Sequence, residues 1–463
     1  MGTEKEGKRK DEFDVVVLGL GPGGEDLGQR LAEAGLAVAG VEAELVGGEC
    51  PYWACVPSKM MLRAAEVLAE CRRVPGLAGT SHAQPDWGPV ARRIREEATD
   101  DWNDKVAAER FAGTGATLVR GRGRITGDRE VTVEPSGSGG EARVLRARRG
   151  VVVATGTVPA IPPVPGLAET PYWTNREAVS TDRVPESLIV LGGGAVGVEL
   201  AQAFARFGAE VTLVESAERL LPGEEPEAGE LLARTFAAEG ITVRTGTKVT
   251  RVDHHGSAFT AMTEDGSYRA ERLLVATGRR VDLAAVGAGA MGLDESAKAI
   301  EVDDHMRAAD GLWAIGDVTG EGAFTHVAIY QAGVALADIL GEAGPVWRRD
   351  AVPRVTFTDP EVGGVGLTEA KARQAGVPVR VVTGDLSGRG WIHQAEGFVK
   401  LVAEDGADPV LVGASAAGPY AGEVLGMLTL AVHARVPVRE LKSMIYAYPT
   451  FHRAVGDALK KMD

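Results

Sequence analysis

A glycine-rich turn followed at a fixed distance by an acidic residue occurs twice in this sequence, and the repeat constrains the fold more than any other feature. In the first copy, a short valine-rich strand leads into a G-x-G-x-x-G turn made by Gly19, Gly21 and Gly24. A helical pattern follows, and then a second strand that ends at Glu42. This order is typical of a β-α-β unit whose glycines allow a tight turn, close approach to a pyrophosphate and close helix–strand packing. The carboxylate of Glu42 is then placed to accept from an adenosine ribose hydroxyl.

The second copy has its turn at Gly192, Gly194 and Gly197, and its second strand leads to Glu215. In both copies, 23 positions separate the first glycine from the acid. One such turn is weak evidence, but the repeated spacing predicts two dinucleotide sites. The alternative is a pair of generic doubly wound domains without ligands.

The acid of the second copy bears on the choice of nicotinamide nucleotide. Glu215 ends the strand where a carboxylate binds a ribose 2′-hydroxyl and repels a 2′-phosphate, which favours NADH over NADPH. Arg219 lies nearby in the sequence, so NADPH stays an alternative.

Two of the three cysteines, Cys50 and Cys55, follow the first β-α-β unit closely. A helix is predicted to begin here, because Pro51 suits a first helical position and an apolar-periodic run follows. The positive end of that helix would lower the pKa of a nearby thiol. Residues five apart in an ideal helix have Cα atoms about 8–9 Å apart, whereas a disulfide needs less than about 7 Å. A bridge therefore requires a distorted first turn; the alternative is two unrelated reduced thiols.

The composition excludes several classes of protein. The net charge of −15 argues against nucleic acid or an anionic membrane as a partner. Residues 1–12 are charged and polar and predict a disordered tail without a signal peptide. The sequence has no run of 18 apolar residues, so no membrane span is predicted. Three cysteines in so long a chain do not indicate a secreted disulfide scaffold. We therefore expect a cytoplasmic protein.

Three further strands end in small residues, where ligands of open α/β sheets bind. These residues are Thr155 and Gly156, Thr277 and Gly278, and Gly316 and Asp317. Asp317 either binds a hydroxyl-rich chain or caps the next turn.

From Pro353 onward the sequence has a different pattern. Strands at 355–357, 379–382, 398–402 and 410–413 and helices near 421–434 and 453–460 predict a C-terminal α+β domain. Prolines at 159–165 indicate a domain boundary, and residues 136–140 a hairpin tip.

Two nucleotide sites beside a cysteine pair indicate an electron relay. A flavin accepts hydride from a nicotinamide nucleotide and passes two electrons to a disulfide. The resulting dithiol exchanges with an external acceptor through a mixed disulfide.

These residues resemble the class I pyridine nucleotide–disulfide oxidoreductases, the family of dihydrolipoyl dehydrogenase, glutathione reductase and mercuric reductase. The resemblance runs from residue 13 to the C-terminus and includes the glycine turns, the cysteine segment, the strand ends and residues 357–361. It implies an α/β fold of two doubly wound, Rossmann-like dinucleotide-binding domains and a C-terminal α+β dimerisation domain. The expected boundaries are a tail at 1–12, an FAD-binding domain at 13–156 and 280–348, an NAD(P)-binding domain at 157–279 and a dimerisation domain at 349–463.

The resemblance also implies roles for the residues around the cysteines. The first nucleotide is FAD, Cys50 is the thiol that attacks substrate, and Cys55 contacts the flavin as a charge-transfer thiolate. Lys59 and Glu199 form an ion pair beside flavin N5.

Further positions of the family pattern complete the expected site. Gly48 belongs to the cofactor-binding motif, Asp317 is the flavin-side acid, and Thr325 and His326 lie near the flavin pyrimidine edge. The chain is then a homodimer that acts on a small-molecule electron acceptor, and no metal site is expected.

One departure from the family pattern affects the acceptor side. The disulfide reductases carry a histidine and, five residues later, a glutamate that handle protons during thiol exchange. Here Tyr448 and Arg453 occupy those positions. A tyrosine of pKa about 10 is a poor general base at neutral pH, so Tyr448 is expected to donate a hydrogen bond. His452 is either a substitute base or a surface or capping histidine.

The acceptor therefore stays open between three hypotheses. The first is an NADH-dependent disulfide reductase with an unusual acceptor. The second is a reductase of quinones, dyes or metal ions that does not need the histidine–glutamate pair. The extra C-terminal cysteines of mercuric reductase are absent here, which argues against mercury as the acceptor. The third cysteine, Cys71, is expected to be a buried structural thiol. The third is a flavin-binding interaction subunit without turnover, which the intact cysteines and Lys59 argue against.

Overall fold

The computed structural model describes residues 11–136 and 140–462. Residues 1–10 of the predicted tail and most of the predicted hairpin tip at 136–140 lie outside the described residues. The expected boundary of the tail after Glu12 was wrong. Glu12 is the first residue of the first strand, where it pairs in parallel with Arg146.

The β-strands are numbered in chain order. They are β1 (Glu12–Leu18), β2 (Val38–Glu42), β3 (Thr117–Arg120), β4 (Arg122–Gly127), β5 (Glu130–Glu134), β6 (Arg143–Val153), β7 (Val158–Pro159), β8 (Ser187–Leu191), β9 (Glu210–Val214), β10 (Thr242–Arg244), β11 (Val249–His255), β12 (Ala258–Thr263), β13 (Gly266–Ala270), β14 (Arg272–Val275), β15 (Arg279–Arg280), β16 (Arg307–Ala309), β17 (Leu312–Ala314), β18 (Pro353–Thr356), β19 (Glu361–Gly366), β20 (Val379–Asp385), β21 (Phe398–Glu404) and β22 (Leu411–Gly418).

The α-helices are numbered in the same way. They are α1 (Pro22–Glu33), α2 (Glu49–Tyr52), α3 (Cys55–Leu77), α4 (Gly88–Arg93), α5 (Lys105–Gly113), α6 (Asn175–Ser180), α7 (Ala195–Arg206), α8 (Pro226–Ala238), α9 (Leu283–Val286), α10 (Thr325–Leu340), α11 (Glu369–Gln374), α12 (Ser387–His393), α13 (Ala421–His433), α14 (Val438–Ser443) and α15 (Arg453–Leu459). A π-helical segment, Ile94–Ala98, follows α4. Among the described residues, none of the helices combines the length and the apolar character of a membrane span.

The chain forms two compact units, each assembled from three segments. Within the described residues, the first unit contains the chain up to Pro57, Arg95–Pro159 and Arg279–Trp347. The second contains Ser58–Ile94, Ala160–Gly278 and the chain from Arg348 onward. The division after Pro57 falls inside α3, so this helix begins in the first unit and continues in the second.

The first unit is built on a sheet of order β16-β17-β6-β1-β2-β3, with β5 pairing β6 and β4 pairing β5. Strands β17, β6, β1, β2 and β3 are parallel to their neighbours in this order. Four consecutive residues of β1, from Val15 to Leu18, are at most 2% exposed, as expected for a central strand with layers on both faces. The carboxyl ends of β1, β6 and β17 therefore lie side by side.

Helices α1 and α10 pack closely in the first unit. A Cβ at Gly23 of α1 would lie 2.8 Å from the carbonyl oxygen of Ala328 in α10. Glycine at this position lets the two helices approach closely, and Pro22 occupies the first position of α1.

The second unit contains a parallel sheet of order β10-β9-β8-β14 and an antiparallel sheet β11-β12-β13. Helix α7 connects β8 to β9, which completes the second β-α-β unit that the glycine spacing predicted. The same unit contains the C-terminal antiparallel sheet β18-β19-β22-β21-β20, on which α13 and α15 pack. The sequence predicted four of these five strands and both helices, and it missed the glycine-rich strand β19.

Candidate active site

The first glycine turn forms a cradle in which each glycine has a distinct role. Gly19 has φ +94°, and a Cβ at Gly24 would collide with its carbonyl oxygen, so Gly24 lets α1 pack on the end of β1. A Cβ at Gly21 would meet nothing within 4 Å. The open space beside Gly21, at the N-terminus of α1, suits a pyrophosphate that must approach the backbone and the positive helix end.

The second turn repeats this arrangement at the start of α7. Gly192 has φ +110°, and a Cβ at Gly197 would collide with its carbonyl oxygen. A Cβ at Gly194 would again meet nothing within 4 Å. The two turns thus share one design, and each fits a dinucleotide pyrophosphate.

The two acids of the repeat bind the backbone in the same way. The carboxylate of Glu42 accepts the N–H of Leu20 (2.7 Å) and of Glu44 (2.8 Å). Burial raises the pKa of the Glu42 carboxyl, although these two donors oppose the shift. Each carboxylate oxygen keeps a second lone pair, so a ribose hydroxyl can still donate to it.

Glu215 has the equivalent partners in the second unit. Its carboxylate accepts the N–H of Gly193 (2.5 Å) and of Ala217 (2.6 Å). The acids of both repeats therefore brace their own glycine turns, a role that the spacing did not reveal.

Thr155 and Gly156 follow β6, and Gly316 and Asp317 follow β17, at the edge where β1 leads into its glycine turn. Gly156 has φ +64°, and a Cβ there would meet nothing within 4 Å. The Asp317 carboxylate accepts a hydrogen bond from Thr157 Oγ1 at 2.9 Å, and burial raises the pKa of its carboxyl. Asp317 thus lies at the sheet edge with the cradle, where a hydroxyl-rich chain can reach it.

A polar chain connects Asp317 with the cysteine segment. Arg279 donates from Nε to Thr157 Oγ1 (2.6 Å) and from a terminal nitrogen to the Thr157 carbonyl (2.7 Å). The same guanidinium lies 3.7 Å from the carboxylate of Glu49, the residue before Cys50. The sequence analysis did not predict a role for Arg279 or Thr157. Their positions directly after the two Ala-Thr-Gly strand ends could have indicated one.

Thr277 and Gly278, the matching pair in the second unit, follow β14. Thr277 Oγ1 donates to the carbonyl of Ala160 at 2.7 Å, and Gly278 has φ +113° with open space at its Cβ position. Backbone can therefore approach a ligand at Gly278 as at Gly156.

The cysteine segment does not begin one continuous helix, as Pro51 at a first helical position suggested. Helix α2 begins at Glu49 and ends at Tyr52, and α3 begins separately at Cys55. The segment therefore departs from the continuous helix whose Cα spacing is too long for a Cys50–Cys55 bridge. Gly48 has φ +65°, and a Cβ there would lie 2.8 Å from Gly21 Cα, so the segment packs directly on the first glycine turn.

Two helix N-termini meet at the sulfur of Cys55. Cys55 is the first residue of α3, and its Sγ lies 3.6 Å from Oγ1 of Thr325, the first residue of α10. Both helices present their positive ends here, which stabilises a thiolate. The His326 ring stacks on Phe324 with centroids 5.2 Å apart.

Lys59 lies one helical turn after Cys55 on α3, and its Nζ donates to Oε2 of Glu199 at 2.8 Å. Glu199 is 5% exposed and accepts the backbone N–H of Phe357 on its other oxygen, also at 2.8 Å. The Phe357 ring centroid lies 4.9 Å from Lys59 Nζ. Lys59 and Glu199 thus form the predicted ion pair, and Phe357 contacts both of its members. Phe357 is part of the family motif at residues 357–361, and the sequence analysis predicted no role for it.

Tyr448 is 76% exposed, and Arg453, at the position of the missing glutamate, pairs with Asp457 at 3.2 Å. His452 is half-buried directly before α15. Cys71, expected to be buried, is half-buried, because it lies towards the exposed end of α3.

Comparisons with known proteins agree with this geometry. Residues 13–332 match the family described as pyridine nucleotide-disulphide oxidoreductase, and residues 352–459 match the dimerisation domain of that family. Dihydrolipoyl dehydrogenase of Chlorobaculum tepidum is 35% identical over 461 residues, which cover 96% of each chain. Mercuric reductase of Acidithiobacillus ferrooxidans is 34% identical over 449 residues, which cover 95% of this chain and 80% of that one.

A solved structure extends the similarity to the whole fold. The HOCl-induced flavoprotein disulfide reductase RclA from Escherichia coli, in its Cu(II) complex, superposes with a TM-score of 0.84. It is 25% identical, and the superposition covers 98% of this chain and 100% of that chain. The predicted family, fold class and type of enzyme are confirmed: the chain belongs to the pyridine nucleotide-disulphide oxidoreductases and is an NAD(P)H-dependent flavoprotein oxidoreductase that acts on sulfur groups.

Proposed function

We propose that this enzyme oxidises NADH and passes the electrons through FAD to a Cys50–Cys55 disulfide and then to an external disulfide. Bound FAD supplies the step from hydride to electron-pair transfer. Two electrons and two protons, from NADH and one solvent proton, break the Cys50–Cys55 bond and leave two thiols. Cys50 then attacks the external disulfide, whose S–S bond breaks, so that one thiol is released and the other half forms a mixed disulfide with Cys50. Cys55 attacks the sulfur of Cys50, which releases the second thiol and restores the bridge.

The observation that carries this proposal is the order of groups along α3. Cys55 occupies the positive end, beside Thr325 of α10, and Lys59 follows one turn later with its ammonium held by Glu199. A thiolate-stabilising site and a fixed cation thus lie on consecutive turns of one helix. Both suit electron flow from a reduced flavin to sulfur.

The surroundings of Glu215 support NADH as the donor. Two backbone N–H groups hold its carboxylate at the end of β9, where a 2′-phosphate would be repelled. Arg219 is the residue whose proximity left NADPH as an alternative. Its guanidinium donates to the backbone carbonyls of Pro222 (2.9 Å) and Glu224 (3.1 Å), which engages it within the protein.

We further propose a homodimer in the cytoplasm. The matched dimerisation domain supports the dimer, and so do exposed apolar side chains in that part of the chain. Leu430 is 62% exposed and Ile445 is 95% exposed, which is unfavourable in water unless a second chain covers them. The low cysteine content supports the compartment.

A second candidate function is reduction of quinones, dyes or metal ions. Arg453 pairs with Asp457, and Tyr448 is exposed, so these two residues do not form the acid–base pair of the disulfide reductases. The similarity to a mercuric reductase supports this candidate as well.

An anaerobic titration with NADH tests the relay. We expect a long-wavelength charge-transfer band that Cys55→Ser abolishes and that Cys71→Ser, a matched change of the third thiol, leaves intact. A band that survives Cys55→Ser would contradict the relay.

An acceptor panel then separates the two candidates. Steady-state turnover is measured with lipoamide, low-molecular-weight disulfides and quinones. Loss of all turnover in Cys50→Ser supports the disulfide acceptor, whereas quinone turnover that survives Cys50→Ser supports the second candidate.

A further inference from the structure

The interruption between α2 and α3 leaves a backbone carbonyl at the break. Helix α2 ends at Tyr52, and Trp53 and Ala54 separate it from α3. In a continuous helix the Tyr52 carbonyl would accept the N–H of Val56. Here it accepts a hydrogen bond from Nε1 of Trp102 at 3.3 Å.

The same indole makes a second contact with the break. Trp102 stacks on Trp53, with ring centroids 5.4 Å apart and planes inclined by 21°. One side chain, 50 positions away in sequence, therefore holds two consecutive residues between Cys50 and Cys55.

Trp102 is presented by an unusual backbone. Three consecutive residues that are not glycine, Asp100, Asp101 and Trp102, have φ of 48°, 55° and 55°. They directly follow the π-helical segment Ile94–Ala98 and Thr99. Left-handed residues of this kind persist only where surrounding contacts determine them, and such segments occur often at functional sites.

Contacts of the buried Thr99 and of Arg95 hold these three residues in the left-handed conformation. Thr99 is 1% exposed, and its Oγ1 accepts the backbone N–H of Trp102 at 3.3 Å. The N–H of Asp101 donates to the carbonyl of Arg95 at 2.7 Å, which ties the left-handed run to the π-helical segment. These contacts thus hold an unfavourable backbone conformation, and that conformation places the Trp102 indole against the cysteine segment.

We propose that Trp102 is a positioning residue that stabilises the disulfide form of the Cys50–Cys55 pair over the dithiol form. A continuous helix would place the two Cα atoms about 8–9 Å apart, which is too far for a bridge, whereas the dithiol tolerates either conformation. A contact that holds the interrupted conformation therefore favours the bridge. This inference rests on the proposed redox function of the two cysteines.

The test is a thiol–disulfide equilibrium on the full-length, FAD-bound protein. Reduced dithiothreitol transfers two electrons and two protons to the Cys50–Cys55 bridge and closes its own ring. Protein is equilibrated at a series of reduced to oxidised dithiothreitol ratios, free thiols are alkylated, and the mass of the peptide that contains both cysteines gives the reduced fraction. This measurement does not depend on turnover.

Trp102→Phe keeps a stacking ring and removes the indole donor, and Trp102→Leu removes both contacts. We expect the equilibrium constant for reduction to rise about fivefold in Trp102→Phe and about tenfold or more in Trp102→Leu, where tenfold corresponds to about 30 mV for a two-electron couple. If Trp102→Leu does not fold, Trp102→Phe alone decides the question.

Trp87→Phe is the matched control. Its indole N–H also donates to a backbone carbonyl, that of Thr181 at 3.0 Å, and its ring also stacks, on Phe204 at 5.5 Å. The equilibrium constant is expected to stay at the wild-type value. An equal rise in Trp87→Phe and Trp102→Phe would overturn the proposal, since the effect would then be general.

The outcomes also separate this proposal from the function on which it rests. A wild-type bridge that forms and titrates, together with unshifted Trp102 variants, overturns the positioning role alone. Wild-type cysteines that stay reduced at the most oxidising dithiothreitol ratio and also under excess oxidised glutathione overturn both the positioning role and the proposed disulfide relay.

Discussion

Glu199 uses its two carboxylate oxygens for two different partners. One binds the ammonium of Lys59, and the other accepts the backbone N–H of Phe357, which belongs to the segment before β19. The carboxylate is almost fully buried, whereas the Lys59 side chain is 37% exposed. Glu199 therefore fixes the ammonium from one side, and the Phe357 ring limits it from another. At the scale of single residues, these two contacts fix the position of the Lys59 ammonium.

Glu199→Gln tests that positioning. Glutamine still accepts the N–H of Phe357, but it removes the charge that holds Lys59, so reduction of the flavin by NADH is expected to slow by about tenfold to 100-fold. Stopped-flow absorbance of the flavin measures this rate. Glu66→Gln, which removes an exposed pair with Arg63 on the same helix, provides the control and is expected to leave the rate unchanged.

The glycine turn allows a second test at the same scale. Gly21→Ala adds a methyl group into open space at an ordinary φ of −64°, so the protein is expected to fold but to lose bound FAD, because the methyl group occupies the pyrophosphate position. Gly24→Ala collides with the backbone and is expected to prevent folding. Circular dichroism and the ratio of flavin to protein separate the two results.

Gly113→Ala is the matched control for Gly21→Ala, since a Cβ there also meets nothing within 4 Å. It should retain FAD fully. Full retention of FAD by Gly21→Ala would show that the turn does not hold the pyrophosphate.

At the scale of elements, one lysine ties three of them together within the second unit. Lys400 of β21 is 5% exposed, and its Nζ lies 2.9 Å from Glu225, directly before α8, 2.8 Å from Glu227 of α8, and 3.0 Å from Glu369 of α11. Burial opposes the charge, but the carboxylates outweigh it and raise the pKa of Lys400. Strand β21 of the C-terminal sheet is thereby joined to a helix that packs beside the parallel sheet of the same unit.

Lys400→Met is expected to lower the free energy of unfolding by about 3 kcal/mol or more, because Glu225, 2% exposed, keeps a buried charge without its ammonium. Urea unfolding measures the change. Lys105→Met removes a pair with Glu109 that is exposed on both sides, and it should cost less than about 1 kcal/mol.

The pH dependence of the same variant has a defined sign. Hydrogen bonds from Lys400 and Arg373 lower the pKa of Glu369 below its usual value. The unfolded chain then binds more protons, so stability is present above the ordinary carboxyl pKa and is lost as the pH falls through the lowered pKa. The loss between about pH 5 and pH 3 should be shallower in Lys400→Met than in the wild type, and equal slopes would show that Lys400 does not set it.

At the scale of the whole molecule, the exposed apolar residues of the C-terminal part indicate association. Met444, Ile445 and Tyr448 are 42%, 95% and 76% exposed and are close in sequence, and Tyr448 is itself one of the residues that depart from the family pattern. A second copy of the chain that covers them would also bring Tyr448 to an interface.

Ile445→Asp is expected to convert the proposed dimer to a monomer, because an aspartate buried at an interface pays its full desolvation cost. Sedimentation velocity measures the change. Val106→Asp, at a valine of the first unit that is 65% exposed, should leave the wild-type state unchanged. A dimer that survives Ile445→Asp would place the interface elsewhere.

Much of the fold could be predicted because its signals are local. The strand before Gly19, the helix after it and the acid at Glu42 follow from hydrophobic period and glycine placement within about 30 residues. The interrupted helix at Tyr52 was not predicted, since Pro51 and the apolar run after it are compatible with a continuous helix. Strand β19 was missed because Gly363 and Gly364 hide the strand pattern.

The sequence by itself determined the family and the two β-α-β units, because the family depends on short local motifs and the units on a spacing that the chain repeats. The tertiary structure alone decided how the segment between Cys50 and Cys55 and the Lys59–Glu199 ion pair are held. Phe357 reaches Glu199 across 158 positions, and Trp102 reaches Tyr52 across 50. Contacts at such separations leave no periodic signal in one sequence, because packing of distant segments, and not local backbone preference, brings the groups together.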